Sequence, residues 1–95
     1  MRQVTLDASI AFRQFTTFSS KNTKVKVEDG EAKLYLHGNL IARNTGKEIL
    51  ITNAGWHSQV TKERLNGLMG VSITQKKGDW YLNGTLWDGN WIKAR

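Results

Sequence analysis

Cysteine and proline are both absent from this 95-residue chain. Without cysteine there is no disulfide and no thiolate metal site, a composition that suits a reducing cytoplasm. Without proline, no turn has its φ preset by a ring, so the connections must rely on Gly and Asn; nine glycines are available. Apolar runs are only a few residues long, which excludes a membrane-spanning helix. Met1 is followed by Arg2, Gln3 and a mixed segment rather than an apolar stretch, so no secretory signal is expected. The glycosylation pattern Asn83-Gly84-Thr85 then carries no weight.

Catalytic machinery is equally scarce. His37 and His57 are the only histidines, and neither stands at a metal-ligand spacing from carboxylates such as Glu48 or Glu63. Trp56-His57-Ser58 sets a His beside a Ser, but a triad is defined by geometry and not by adjacency. The glycines are scattered and form no phosphate-binding loop. No catalytic, cofactor-binding or metal-binding residue is assigned, and a non-enzymatic binding domain is expected.

What the chain does have is positive charge and tryptophan. Fourteen Lys and Arg against eight Asp and Glu give a net charge of +6 and a pI near 9.9. That balance fits a nucleic-acid partner, and it also fits solubility or docking to an acidic protein. No run of like charge exceeds the Lys76-Lys77 pair, so the charge is spread over folded elements. Three of the four tryptophans, Trp80, Trp87 and Trp91, crowd the last sixteen residues beside Asn83-Gly84 and Asp88-Gly89. Asn-Gly and Asp-Gly between apolar residues signal type I′ turns, which need φ > 0 at both central positions. The chain is therefore expected to end in a tightly turned aromatic meander.

A single domain over residues 1–95 is expected from the length. Thr5 to Phe18 reads as an amphipathic helix with Val4, Ala8, Ala11, Phe15 and Phe18 as its apolar row, Ile10 and Phe12 flanking it, Thr5 as N-cap and Asp7 in the first turn. Lys24 to His37 reads as a hairpin turning at Asp29-Gly30. That register sets Val25, Val27, Ala32, Leu34 and Leu36 inward, with Lys26 opposite Lys33. Gly38-Asn39 is read as a turn, Leu40 to Arg43 as a strand, Asn44 to Lys47 as a turn and Glu48 to Thr52 as a strand. A short helix over Lys62 to Leu68 is expected, capped by Thr61, with Val60 stapled to Leu65. Val71 to Leu82 reads as a second hairpin through Lys76-Lys77-Gly78-Asp79, pairing Gln75 with Trp80 and Ile73 with Leu82. A very short strand follows over Thr85 to Trp87. The order is α-β-β-β-β-α-β-β-β: an α+β fold whose antiparallel sheet of six or seven short strands is built from hairpins and packed with two helices.

Two candidate surfaces follow. In the predicted register Lys24, Lys26, Lys33, Tyr35 and His37 all point away from the core. Like charges facing across strands are destabilising, so folding alone does not explain Lys26 opposite Lys33. A sheet face of cations with an aromatic matches single-strand and RNA platforms, where cations track phosphates and rings stack on bases. Lys76 and Lys77 at the second hairpin tip would assist. The other candidate is a protein interface at Trp87 and Trp91, because Trp is a typical interface anchor. A homodimer through the tail or a sheet edge also remains open.

The strings L-Y-L-H-G-N-L-I-A (Leu34 to Ala42), I-T-N-A-G-W (Ile51 to Trp56), T-K-E-R-L-N (Thr61 to Asn66) and Q-K-K-G-D-W-Y-L-N-G…W-D-G-N-W (Gln75 to Trp91) cover most of the chain after Thr23. With Ala11-Phe12 in the first helix, they resemble a group of small phage-encoded proteins of unassigned function. The resemblance implies a bacteriophage origin and action in the cytoplasm of the infected bacterial host. It supplies no activity, cofactor or catalytic residue. Two classes suit such a host-takeover protein: nucleic-acid binding, and modulation of a host or host-defence protein.

Overall fold

The computed structural model describes residues 2–94. Two helices and nine strands follow one another: α1 (Gln3–Gln14), β1 (Phe18–Ser19), β2 (Thr23–Glu28), β3 (Glu31–Leu36), β4 (Asn39–Asn44), β5 (Ile49–Ile51), α2 (Gln59–Leu65), β6 (Ile73–Lys76), β7 (Asp79–Leu82), β8 (Thr85–Leu86) and β9 (Ile92–Lys93). All strand pairs are antiparallel. They form a six-stranded sheet in the order β1-β2-β3-β4-β5-β9 and a three-stranded sheet in the order β6-β7-β8. The fold is α+β, as the hairpin-rich sequence predicts.

Two-residue turns set most of this register. Asp29-Gly30, His37-Gly38, Lys77-Gly78 and Asn83-Gly84 each place both central residues at positive φ, the twist that antiparallel strands require. The first hairpin pairs Glu28 with Glu31, Val27 with Ala32, Lys26 with Lys33 and Val25 with Leu34, as expected. The second pairs Gln75 with Trp80 and Ile73 with Leu82, also as expected. Lys76 pairs with Asp79 as well, so its turn is tighter than four residues. The turn between β3 and β4 falls one residue earlier than Gly38-Asn39, at His37-Gly38.

The core joins both helices and both sheets. Ala8, Ala11 and Phe12 of α1 pack with Val25, Ala32, Leu34 and Leu36, with Ile41, Ala42 and Ile51, with Leu65 and Leu68, and with Ile73, Trp80, Leu82 and Trp87. Ile41 and Ala42 are adjacent yet both buried. A bulge explains it: Leu34 faces Ala42 while Tyr35 faces Leu40, so Ile41 is the extra residue and turns inward.

Several expectations need correction. Helix α1 starts two residues before Thr5 and ends four before Phe18, and Thr5 is not its cap. Thr5 is instead fully buried, its hydroxyl held between Glu63 and Arg64. No acidic residue lies in the first turn; Asp7 accepts from Gln3 Nε2 at 2.8 Å. The apolar row is rotated toward Phe12, while Phe15 and Phe18 only flank the core. Phe15 ends the helix in the left-handed region, at φ 57°. Helix α2 begins three residues early because Ser58 is the N-cap and accepts from the Thr61 N–H. Its C-cap is Asn66. Val27, expected to face the core, is 38% exposed, although its cross-strand partner Ala32 is fully buried. The strands β1 and β9 are too short to carry a period-2 signal and were not foreseen. Among the described residues no helix is long and apolar enough to cross a membrane.

Candidate nucleic-acid interface

The outer face of the six-stranded sheet is built by the same alternation that fills the core. Successive residues of a strand point to opposite faces, so burying Val25, Leu34, Ala42 and Ile51 turns their neighbours outward. Register then aligns those neighbours. Lys26 pairs with Lys33, Lys33 with Arg43, Arg43 with Leu50 and Leu50 with Lys93. One rung across five strands thus carries four cations and a leucine. At the usual strand spacing it is about 19 Å long. The adjacent rung runs Ser19, Lys24, Tyr35 and Leu40. Lys24, Lys26 and Lys93 are exposed, and Lys33 and Tyr35 half-buried.

The structure brings together Lys24, Lys26, Lys33 and Tyr35, and it adds Arg43 and Lys93, which sequence reasoning missed. Arg43 was legible as the residue alternating with Ala42; Lys93 depends on β9 pairing with β5, which nothing local announces. Lys26 Nζ lies 5.2 Å from the Tyr35 ring centroid, a cation–π contact that offsets part of the Lys26–Lys33 repulsion. Arg43 is committed to Glu31 by two hydrogen bonds, Nε to Oε1 at 2.9 Å and Nη2 to Oε2 at 2.8 Å. The Arg43 hydrogen bond holds the Glu31 carboxyl below its ordinary value, helped by the charges of Arg43 and Lys33. Among the described residues, Lys24, Lys26, Lys33 and Lys93 make no salt bridge. The row is also polarised: Glu28, Asp29 and Glu31 put acid at the Asp29-Gly30 end, and Lys24 and Tyr35 stand toward the other.

His37 is a correction. It leaves the row because β3 ends at Leu36, and it sits in the turn at φ 51°. There it lines a cavity of about 270 Å³ with Trp56 and Ile41. Lys76 and Lys77 do not join the platform either. They cap the three-stranded sheet, which is tied to α2 by Lys62 Nζ donating to Gln75 Oε1 at 2.8 Å and by Asn66 bonding the Ile73 backbone.

The tail divides. Trp87 is only 6% exposed, its Nε1 donates to the Asn90 carbonyl at 2.9 Å, and its ring lies 6.0 Å from Trp80. It is core and not interface, because the Asn83-Gly84 turn folds β8 back on β7 and carries Trp87 inward. Trp91 is 47% exposed, beside exposed Ile92. Trp80 is buried against the His57 ring, stacked at 4.4 Å.

A second polar centre lies inside the molecule. Arg64, 3% exposed, donates from Nε to Thr23 Oγ1 at 3.0 Å and from Nη1 to Thr5 Oγ1 at 3.0 Å, and pairs with Glu63. Burial pushes the Glu63 carboxyl up. The Thr5 hydroxyl, the Arg2 backbone N–H and Arg64 outweigh it and hold the group below its ordinary value. With every hydroxyl spoken for, this cluster is structural. Among the described residues no three acidic or histidine side chains converge to hold a metal.

No curated protein and no solved structure is significantly similar to the chain. The sequence model of one protein family, described as Kyanoviridae Gp96 protein, matches residues 1–94. A match over that span, on a fold whose core draws on nearly every element, shows that the chain belongs to the Kyanoviridae Gp96 family of phage proteins.

Proposed function

We propose that this phage protein is a non-enzymatic accessory factor that binds single-stranded nucleic acid on the outer face of its six-stranded sheet, in the cytoplasm of the infected bacterium. The observation that carries the reading is the rung Lys26–Lys33–Arg43–Leu50–Lys93. Glu31 answers Arg43, but folding gains nothing from setting Lys26 against Lys33 or from adding Lys93 to the same rung. A polyanion repays the arrangement, because each phosphate neutralised releases condensed counterions. Lys24, Lys26, Lys33 and Lys93 supply the charge, and Tyr35 supplies a ring. An incoming base that stacks on Tyr35 would release the Lys26 ammonium from that ring toward phosphate.

The test is fluorescence-anisotropy titration with short labelled single-stranded DNA, RNA and duplex, at low and at physiological salt. Salt-sensitive binding lost in Lys26→Glu/Lys33→Glu supports the reading. Binding unchanged by that double reversal sinks it.

A specific observation favours a second reading. Trp91 and Ile92 are exposed at the β9 edge of the six-stranded sheet, where a host or host-defence protein, or a second copy of the chain, would find both an aromatic anchor and a free strand edge. Affinity capture from bacterial lysate that survives Trp91→Ala would count against it.

A further inference from the structure

We infer that the cavity behind the His37-Gly38 turn receives a single unstacked nucleobase from the strand bound on the sheet face, with Trp56 as its stacking wall; the inference rests on the nucleic-acid reading above. Trp56 is 58% exposed, while Trp80 and Trp87 are buried. A tryptophan spends this much apolar surface in water only where folding has no use for it. Here it walls a cavity of about 270 Å³ whose floor is apolar, made by Leu36, Ile41 and Val60. Ligand sites begin at roughly this size, so the space suits one ring system and not a helix or a folded partner. The rim is polar and undercommitted. The Asn39 amide has only a marginal 3.5 Å contact to the His37 carbonyl, and the His37 ring has no hydrogen-bond partner among the described residues. Together they can donate to and accept from the edge of a base.

Position ties the cavity to the platform. Tyr35 is the last outward residue of β3, and the His37-Gly38 turn just beyond it leads round the end of the sheet to the cavity, whose floor residues Leu36 and Ile41 lie on the core side. The polarity of the face points the same way. Glu28 and Asp29 put acid at one end of the hairpin, with Glu31 answered by Arg43, so the end of a strand held on the lysine rung is favoured at the opposite end, over Lys24 and Tyr35 beside the His37-Gly38 turn. The Ile41 bulge shapes the floor, since it is the extra residue that turns inward to line the cavity.

The experiment titrates the full chain, wild type, Trp56→Ala, Trp56→Phe and Lys26→Glu/Lys33→Glu, against a labelled single-stranded oligonucleotide and against the same sugar-phosphate backbone lacking bases. Trp56→Ala is expected to weaken binding of the base-bearing strand about ten-fold, as loss of one stacking platform does. It should leave the abasic strand and the salt slope unchanged, with Trp56→Phe restoring most of the affinity. Equal affinity of wild type and Trp56→Ala for the base-bearing strand overturns the base site while the platform stands. An equal loss on the abasic strand also overturns it, because the effect is then not stacking. If the wild type binds neither strand, the platform reading falls and the base site with it.

Discussion

Arg64 shows how a single charge is accommodated where it has almost no water. Its donors meet Thr5 and Thr23, its charge meets Glu63, and Glu63 in turn is held by the Arg2 backbone N–H at 3.2 Å. Gly67, just past the end of α2, lies close by, where an added Cβ would collide with Thr5 Cγ2, so the cluster also fixes how near this segment comes to α1. Replacing Arg64 by Met leaves the two threonines and Glu63 without their donor. Urea denaturation should read a loss of about 2–3 kcal/mol, as expected for hydrogen bonds to a charged group. Lys at this position should not rescue it, because one ammonium cannot imitate the guanidinium fork. Glu63 gives a pH signature. Its folded pKa lies below the ordinary 4.5, so its stabilising contribution is present above the unfolded value and is lost as pH falls through the folded one. Glu63→Gln should therefore flatten the acid limb of the stability profile below about pH 5, where the wild type falls, and chemical denaturation across that range checks it.

At the scale of elements, the tight turns decide which side chains share a face. Lys77 sits in the left-handed region at φ 52°, a conformation that Asn tolerates better than Lys. Lys77→Asn should raise Tm modestly and leave oligonucleotide affinity nearly unchanged, because this turn belongs to the second sheet. A marked loss of affinity would return the hairpin tip to the binding surface. The tail makes an opposite pair of predictions. Trp87→Ala should cost about 3–5 kcal/mol, the range for deleting a buried aromatic. Trp91→Ala should cost less than about 1 kcal/mol, as for a surface change. Equal destabilisation by the two would mean that Trp91 is structural. The Asp29-Gly30 and Asn83-Gly84 turns, the alternation of β2 and β3 and the register of β6 and β7 were legible in the sequence, because each is specified by residues a few positions apart, whereas the turns at His37-Gly38 and Lys77-Gly78 differ by a residue from those expected and Asp88-Gly89 has φ > 0 only at Gly89. The helix ends were less so. Ser58 and Thr61 are both good caps, and only the burial of Thr61 decides between them.

For the molecule as a whole, the fold turns a dispersed net charge into a directed one. Four lysines without salt-bridge partners among the described residues, Lys24, Lys26, Lys33 and Lys93, share one sheet face, so a plot of log affinity against log salt for a single strand should fall with a slope of about −3. Neutralising two of them as Lys26→Gln/Lys33→Gln should reduce the slope by about 1.4. A slope that does not change would show that phosphates lie elsewhere. Of the candidate site, Lys24, Lys26, Lys33 and Tyr35 were legible because one hairpin carries them all. Lys93 and Trp56 were not, since each reaches the site from far along the chain.

Local chemistry in the sequence determined the α+β class, both main hairpin registers and the outward row of lysines, since φ > 0 turns and period-2 burial act over a few residues. Tertiary structure alone decided the rest. It paired β9 with β5 and so brought Lys93 to the rung; it buried Trp87 and left Trp56 in water; it set Trp56 and Val60 against Leu36 and Ile41 to make the cavity. These outcomes depend on which surfaces compete for the same core, and no short stretch of chain encodes that competition.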